Sequence, residues 1–186
     1  SVVVATSGIL TVLNPSELEA VIGHEIGHVV HKDVLLSSVA ATMAGVISYI
    51  GNIAMFSMMF GGTGGNNRGG NPLYFIAAIV LVPVGAMFVQ LGISRSVEYN
   101  ADDYGAKLTH NPGALASALV KISSKAKAQG FGRNSNNSPS PATASLWIVN
   151  PFRGSSMMEL FSTHPSTEHR VERLRKIGEE MGIYVP

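Results

Sequence analysis

Cysteine is absent from the 186 residues of this chain. Disulfide bonds and thiolate metal ligands are therefore excluded. A metal site in this chain must be built from histidine and carboxylate side chains.

Charged residues are also scarce, at 13% of the chain, and the formal net charge is only +1. An ordinary soluble domain carries roughly 25% charged residues, so this deficit and a mean hydropathy of +0.25 indicate a membrane protein. The small net charge leaves no electrostatic footprint for nucleic acid, and we expect no nucleic-acid partner. The chain starts without a signal-peptide pattern, and we expect it to be a fragment of a longer protein.

A His-Glu-x-x-His motif at residues 24–28 carries the first chemical signal. Two histidines four residues apart project from one helix face on successive turns, so His24 and His28 can reach one metal ion. Glu25 lies beside that face, where it can take a proton from a water that the metal activates. The motif predicts one Zn²⁺ per chain with Glu25 as the catalytic base, and a pair of core histidines is the alternative.

The helix that carries this motif has a recognisable start. Asn14 can cap it, Pro15 suits the first helical position, and Glu17 suits the third. Gly23 and Gly27 each cost about 1 kcal/mol in a helix interior relative to alanine. We therefore expect these glycines to let another helix or a ligand come close.

The expected fold class is mainly α with a small β element, an α+β fold. Residues 1–10 are rich in β-branched side chains and predict a short strand that ends near Gly8. Such an edge strand could hold a peptide substrate by β-augmentation, although a plain structural strand is the alternative. Residues 146–149 are a second strand candidate.

Two long apolar runs follow the motif. Residues 34–67 contain no charge and are apolar to about Phe60, and the charge-free run 69–94 has its apolar core at 73–93. A transmembrane helix needs ~20 apolar residues, so the runs predict a helical hairpin in a lipid bilayer. The alternative is two apolar helices buried in a soluble core, which a chain of this size could hardly cover.

The hairpin divides the chain into three predicted segments. Residues 1–33 and 95–186 form two parts of one catalytic domain, and residues 34–94 form the membrane hairpin. Of the 13 lysines and arginines, only Arg68 lies in the loop between the two runs. The positive-inside rule then predicts a multi-pass protein of the cell (inner or plasma) membrane, with the catalytic domain facing the cytoplasm.

A third metal ligand is expected just after the second run. Glu98 and Asp102 share a helix face, and the small residues Ala101, Gly105 and Ala106 would let this helix approach the histidine helix. Glu98 is then the third zinc ligand, and Asp102 would accept a hydrogen bond from the far ring nitrogen of a liganding histidine. Two solvated carboxylates on a polar helix face are the alternative.

Taken together, the sequence resembles the HtpX-type membrane zinc metalloproteases, which are related to the CAAX prenyl proteases. The hairpin and residues 24–28, 94–102, 142–151 and 161–165 carry this resemblance, which covers nearly the whole chain. It implies a zincin-like, gluzincin-type metalloendopeptidase (EC 3.4.24) of membrane-protein quality control and the stress response. Its substrates would be unfolded or membrane proteins cleaved at the cytoplasmic face. The same resemblance assigns the zinc ligands and the base, namely His24, His28, Glu98 and Glu25.

His164 is a candidate that rests on the resemblance alone. It would approach the cleft and stabilise the oxyanion of the transition state. The alternative is that it orders a loop while Arg170 pairs with a carboxylate. Two other functions remain open, an intramembrane zinc protease and a non-catalytic zinc-binding membrane scaffold, and the sequence leaves the oligomeric state open.

Overall fold

The computed structural model describes residues 1–60, 72–128 and 165–186. All regular secondary structure in these ranges is helical. The helices are α1 (Ser7–Val12), α2 (Pro15–Val30), α3 (Asp33–Phe60), α4 (Pro72–Thr109), α5 (Pro112–Ala128) and α6 (Thr167–Glu180). The chain divides into two compact units, one formed by Ser1–Asp33 and Ser94–Pro186 and the other by Val34–Ile93.

The predicted N-terminal strand is wrong. Residues 1–6 have no regular structure, and Ser7–Val12 form α1. Thr6 caps this helix, because its side-chain oxygen accepts a hydrogen bond from the backbone N–H of Ile9 at 3.3 Å. β-Branched residues favour a strand only where another strand pairs with the backbone, and the three described ranges contain none. The α+β expectation is therefore corrected to an all-helical fold for the described part, and residues 146–149 lie outside it.

Helix α2 begins as the sequence predicts. Asn14 Oδ1 accepts a hydrogen bond from the Glu17 N–H at 2.8 Å, and the Glu17 carboxylate accepts one from the Asn14 N–H at 2.9 Å. This reciprocal capping box satisfies two N–H groups that the helix leaves free. The helix ends at Val30, and Lys32 takes a left-handed φ of 57°. The chain thereby turns out of α2 and into α3.

Glu17 also joins α2 to α5. Its buried carboxylate accepts hydrogen bonds from Ser117 Oγ at 2.6 Å and from Lys121 Nζ at 2.8 Å. Burial alone would raise the pKa of Glu17, but these donors and the Asn14 N–H hold it below its ordinary value of 4.5. The start of α2 is thus fixed to the middle of α5 by a charged contact.

The core of the first unit lies where α2, α4, α5 and α6 meet. The leucines of α5 and α6 fill it and are fully buried, whereas alanines of α2, α4 and α5 let the helix backbones approach. These core residues include Leu115, Leu119, Leu174, Ala20, Ala106 and Ala118. Apolar burial therefore ties α6, which lies far along the chain, to the helices that carry the predicted site.

Helices α2 and α4 pack with their backbones in contact. A Cβ atom added at Gly105 would lie 2.7 Å from His24 N, and one added at Gly27 would lie 3.1 Å from Ala101 Cα. A side chain at Gly105 would therefore push the two helices apart. The expected close approach of a second helix is confirmed, and that helix is the one that carries Glu98.

Helix α3 is the one helix of the described ranges that is long and apolar enough to cross a membrane, over Asp33–Ile53. Large apolar side chains along it are exposed, among them Val34, Met43, Tyr49, Ile50 and Phe56. The second predicted span falls within the first part of α4. Side chains 72–80 of that part lie outside the described residues, so this span stays a prediction.

We predict that Glu17→Gln lowers the free energy of unfolding at neutral pH by about 1.5–3 kcal/mol, because a buried charge-assisted contact is lost. Since folding lowers the pKa of Glu17, its charge stabilises the fold above the ordinary value of 4.5. This contribution is lost as the pH falls through the folded-state pKa. Denaturant unfolding at a series of pH values should show the difference between parent and variant shrinking below that value. A difference that does not change with pH would contradict the role of the charge, and Glu19→Gln, at an exposed position of α2, is the control.

We also predict that Gly105→Ala destabilises the protein by about 1–3 kcal/mol or more, since the added methyl group meets the α2 backbone. Gly92→Ala is the matched control on the same helix, because a Cβ atom there meets nothing within 4 Å. That control should leave stability unchanged or raise it by up to about 1 kcal/mol. Equal unfolding midpoints for the two variants would show that the helices are not in backbone contact.

Candidate metal centre

Three side chains converge at the crossing of α2 and α4. His24 and Glu98 are buried and His28 is half-buried, and one ligand atom from each lies within 4.8 Å of the others. The two Nε2 atoms of the histidines are 3.1 Å apart. Oxygens of the Glu98 carboxylate lie 3.7 Å from His24 Nε2 and 3.9 Å from His28 Nε2. The backbone contact between the helices brings these groups together.

Each histidine has a carboxylate at its other ring nitrogen. His24 Nδ1 lies 3.0 Å from Asp102 Oδ1, and His28 Nδ1 lies 2.8 Å from Asp33 Oδ2. These partners assign the ring proton to Nδ1, which donates it to the carboxylate. Each Nε2 then directs a lone pair towards the other histidine and towards Glu98.

The donor set of this cluster suits a divalent metal ion. Two unprotonated Nε2 atoms and a carboxylate face one another, and their lone pairs repel unless a cation lies between them. Ligand atoms about 2.0–2.1 Å from a tetrahedral zinc ion lie about 3.3 Å apart. The distance of 3.1 Å between the two Nε2 atoms is close to that value, and the Glu98 oxygens lie slightly farther out, with Oε2 3.7 Å from His24 Nε2 and Oε1 3.9 Å from His28 Nε2. His24, His28 and Glu98 therefore fit a zinc ion.

Arg170 of α6 contacts both carboxylates of α4. Its side chain is 2% exposed, and Nη2 lies 2.6 Å from Asp102 Oδ1 while Nη1 lies 3.1 Å from Glu98 Oε2. Burial opposes its charge, but Asp102, Glu98 and Glu25 raise the pKa of Arg170. Burial alone would also raise the pKa of Asp102, but Arg170 and His24 lower it to about 2. Arg170 and Asp102 are thus a charged pair at neutral pH.

Two further predicted site residues are Glu25 and His164. Glu25 follows His24 on α2 and is half-buried. Its charge contributes to the raised pKa of Arg170, so it lies near the same cluster. His164 lies outside the described residues, so its role stays a prediction. The alternative to a catalytic role for His164 included a pair between Arg170 and a carboxylate. Arg170 does pair with carboxylates, those of Asp102 and Glu98.

Sequence reasoning missed Asp33. This residue lies beyond the end of α2, where helical periodicity no longer relates it to His28. The left-handed backbone at Lys32 is what returns the Asp33 carboxylate, only 6% exposed, to the histidine ring. One signal was available, since Asp33 is the last charged residue before the long apolar run. An acidic residue at that point could equally serve the first turn of α3.

The chain is similar in sequence to known proteins over nearly its full length. The profile of Peptidase family M48 matches residues 1–178. The chain belongs to peptidase family M48. The resemblance to HtpX-type proteases is also confirmed, since relatives named Protease HtpX homolog match nearly the whole chain.

Two such relatives show how far the similarity extends. The protein from Pyrococcus furiosus is 50% identical over 183 residues, which cover 98% of this M48 chain and 62% of the relative. The protein from Nostoc sp. is 44% identical over 181 residues, which cover 96% of this chain and 61% of the relative. The chain thus spans somewhat less than two thirds of the length of these relatives. No solved structure matches it.

We predict that Asp33→Ala weakens metal binding by about 10–100-fold, because His28 loses the acceptor that fixes its ring. Asp103→Ala is the matched control, since Asp103 pairs with Lys107 at 2.8 Å on the outer face of α4. Zinc competition titrations in detergent, with melting curves for each variant, measure the effect. Equal zinc affinities for parent and Asp33→Ala would contradict the orienting role.

Proposed function

We propose that this chain is the catalytic part of a zinc-dependent, membrane-bound endopeptidase that cleaves unfolded or membrane proteins at the cytoplasmic face. The observation that carries this proposal is the convergence of His24, His28 and Glu98 within 4.8 Å, on the helix pair that also holds Glu25. Three protein ligands leave a fourth position for water or substrate, as in catalytic zinc sites. Membership of a peptidase family supports the same reaction class.

In the proposed reaction the zinc ion and the protein side chains have separate roles. When bound, zinc would lower the pKa of a water molecule towards neutrality and polarise the peptide carbonyl. Glu25 takes the proton of the attacking water and delivers it to the leaving amine. Asp102 and Asp33 keep the ring protons of the two histidines on Nδ1, so that both Nε2 lone pairs stay available as ligands.

The membrane location is supported by the apolar runs. Helix α3 is long and apolar enough to span a bilayer, and two crossings would return the chain to the side that it left. Of the 13 lysines and arginines, twelve lie outside the loop between the runs, which favours the cytoplasm for the catalytic part. A catalytic site on that side would meet unfolded cytoplasmic proteins and the cytoplasmic loops of membrane proteins.

We predict that Glu25→Gln retains one zinc per chain and loses about 10²–10⁴-fold in cleavage rate, because glutamine cannot accept the proton of the attacking water. The measurement is chelator-sensitive cleavage of a labelled unfolded protein in detergent, alongside zinc analysis. Glu19→Gln, an exposed change on the same helix, should cleave like the parent.

The outcome of that experiment separates the proposal from its rivals. Cleavage by Glu25→Gln at the parental rate would show that Glu25 is not the base. A parent chain that binds zinc stoichiometrically yet cleaves nothing would instead indicate a non-catalytic zinc-binding scaffold.

A further inference from the structure

We propose that Arg170 is a positioning residue, which assembles the metal ligands before the ion binds and holds Glu98 as a single-oxygen ligand. This inference rests on the metal site proposed above. It assigns to α6, the last helix of the chain, a direct part in building a site whose ligands all lie on α2 and α4.

The guanidinium group of Arg170 engages both α4 carboxylates in different ways. Nε donates to Asp102 Oδ2 at 2.8 Å and Nη2 donates to Asp102 Oδ1 at 2.6 Å, which is a two-bond fork. Nη1 lies 3.1 Å from Glu98 Oε2. One planar cation thus fixes the carboxylate that orients His24 and the carboxylate that completes the ligand set.

The contact with Glu98 makes its two oxygens inequivalent. The guanidinium charge, 3.1 Å from Oε2, draws negative charge onto that oxygen and restrains rotation of the carboxylate. Symmetric ligation through both oxygens is then disfavoured, and Glu98 contributes one oxygen to an ion. A single-oxygen contact keeps the fourth coordination position open for water or substrate.

Arg170 also stabilises the cluster of ligand side chains when no metal ion is bound. Asp102 and Glu98 are 0% and 6% exposed, and two ionised carboxylates so deeply buried repel each other unless a positive charge lies beside them. Arg170 supplies that charge, and Leu174 and Ile177 of α6 hold its helix in the core. The ligands therefore adopt their binding arrangement before the ion binds. This preorganisation lowers the free-energy cost of metal binding.

A purely structural role for Arg170, as a tie between α6 and α4, makes a different prediction. It would change the melting temperature and leave the metal affinity of the folded protein unaltered. The test therefore measures metal affinity and coordination directly, with Co²⁺ as a spectroscopic probe in place of Zn²⁺.

The experiment compares the parent chain with Arg170→Lys and Arg170→Gln in detergent. Arg175→Gln is the matched control, because Arg175 lies exposed on the same helix and bonds only to the Pro186 carbonyl among the described contacts, at 3.0 Å. We expect Arg170→Lys to weaken Co²⁺ and Zn²⁺ binding by about 10–100-fold and Arg170→Gln by at least as much. The visible Co²⁺ absorption should also weaken, as Glu98 becomes free to ligate through both oxygens. Arg175→Gln should match the parent in affinity and spectrum.

The parent titration separates the two proposals. A parent chain that binds neither ion overturns both the zinc site and the role of Arg170. A parent that binds both ions, with folded Arg170 variants that bind equally well and give the same spectrum, overturns only the role of Arg170.

A second comparison covers the case in which the single Arg170 variants do not fold. Asp102→Asn combined with Arg170→Gln removes both charges of the buried pair together, which is better tolerated than removing one. It is compared with Asp102→Asn alone. A weaker affinity and an altered Co²⁺ spectrum in the double variant support the role towards Glu98, and identical values overturn it.

Discussion

The site depends on the backbone contact between α2 and α4. A Cβ atom at Gly105 would lie 2.7 Å from His24 N, so the two helix backbones leave no room for a side chain at this position. At ordinary helix separations of about 8–10 Å, the short carboxylate of Asp102 would lie farther from the His24 ring. The glycines therefore contribute to the geometry of the candidate metal centre, although they supply no ligand atom.

The buried charges also constrain the site, because the negative charges of Glu98 and Asp102 are balanced by the positive charge of Arg170. Glu98 and Asp102 face His24 on one side and Arg170 on the other, at 2.6–3.7 Å. Removing one member of such a cluster leaves an uncompensated buried charge, which costs about 3–5 kcal/mol. The side chains of the candidate metal site thus also restrict how α6 can pack, because Arg170 has to reach both carboxylates.

The sequence predicts the local parts of this site better than its long-range parts. The capping box of Asn14 and Glu17 and the pairing of residues four apart are properties of single helices, and periodicity reveals them. The N-terminal strand fails for the converse reason, since its β-branched residues favour a sheet only when a partner strand is supplied. Asp33 was missed, and for Arg170 the sequence offered only an unspecified carboxylate partner, because a backbone turn and the packing of a distant helix bring these groups to the histidines.

Asp33 connects the metal site to the long apolar helix. Its carboxylate accepts the proton of His28 Nδ1, and the same residue begins α3, where an acidic side chain favours the first helical turn. Asp33 reaches the His28 ring because the chain reverses at Lys32, whose φ is 57°. Because metal binding is coupled to the folding of the segments that build a site, an ion held by His28 would favour the turn that brings Asp33 to its ring.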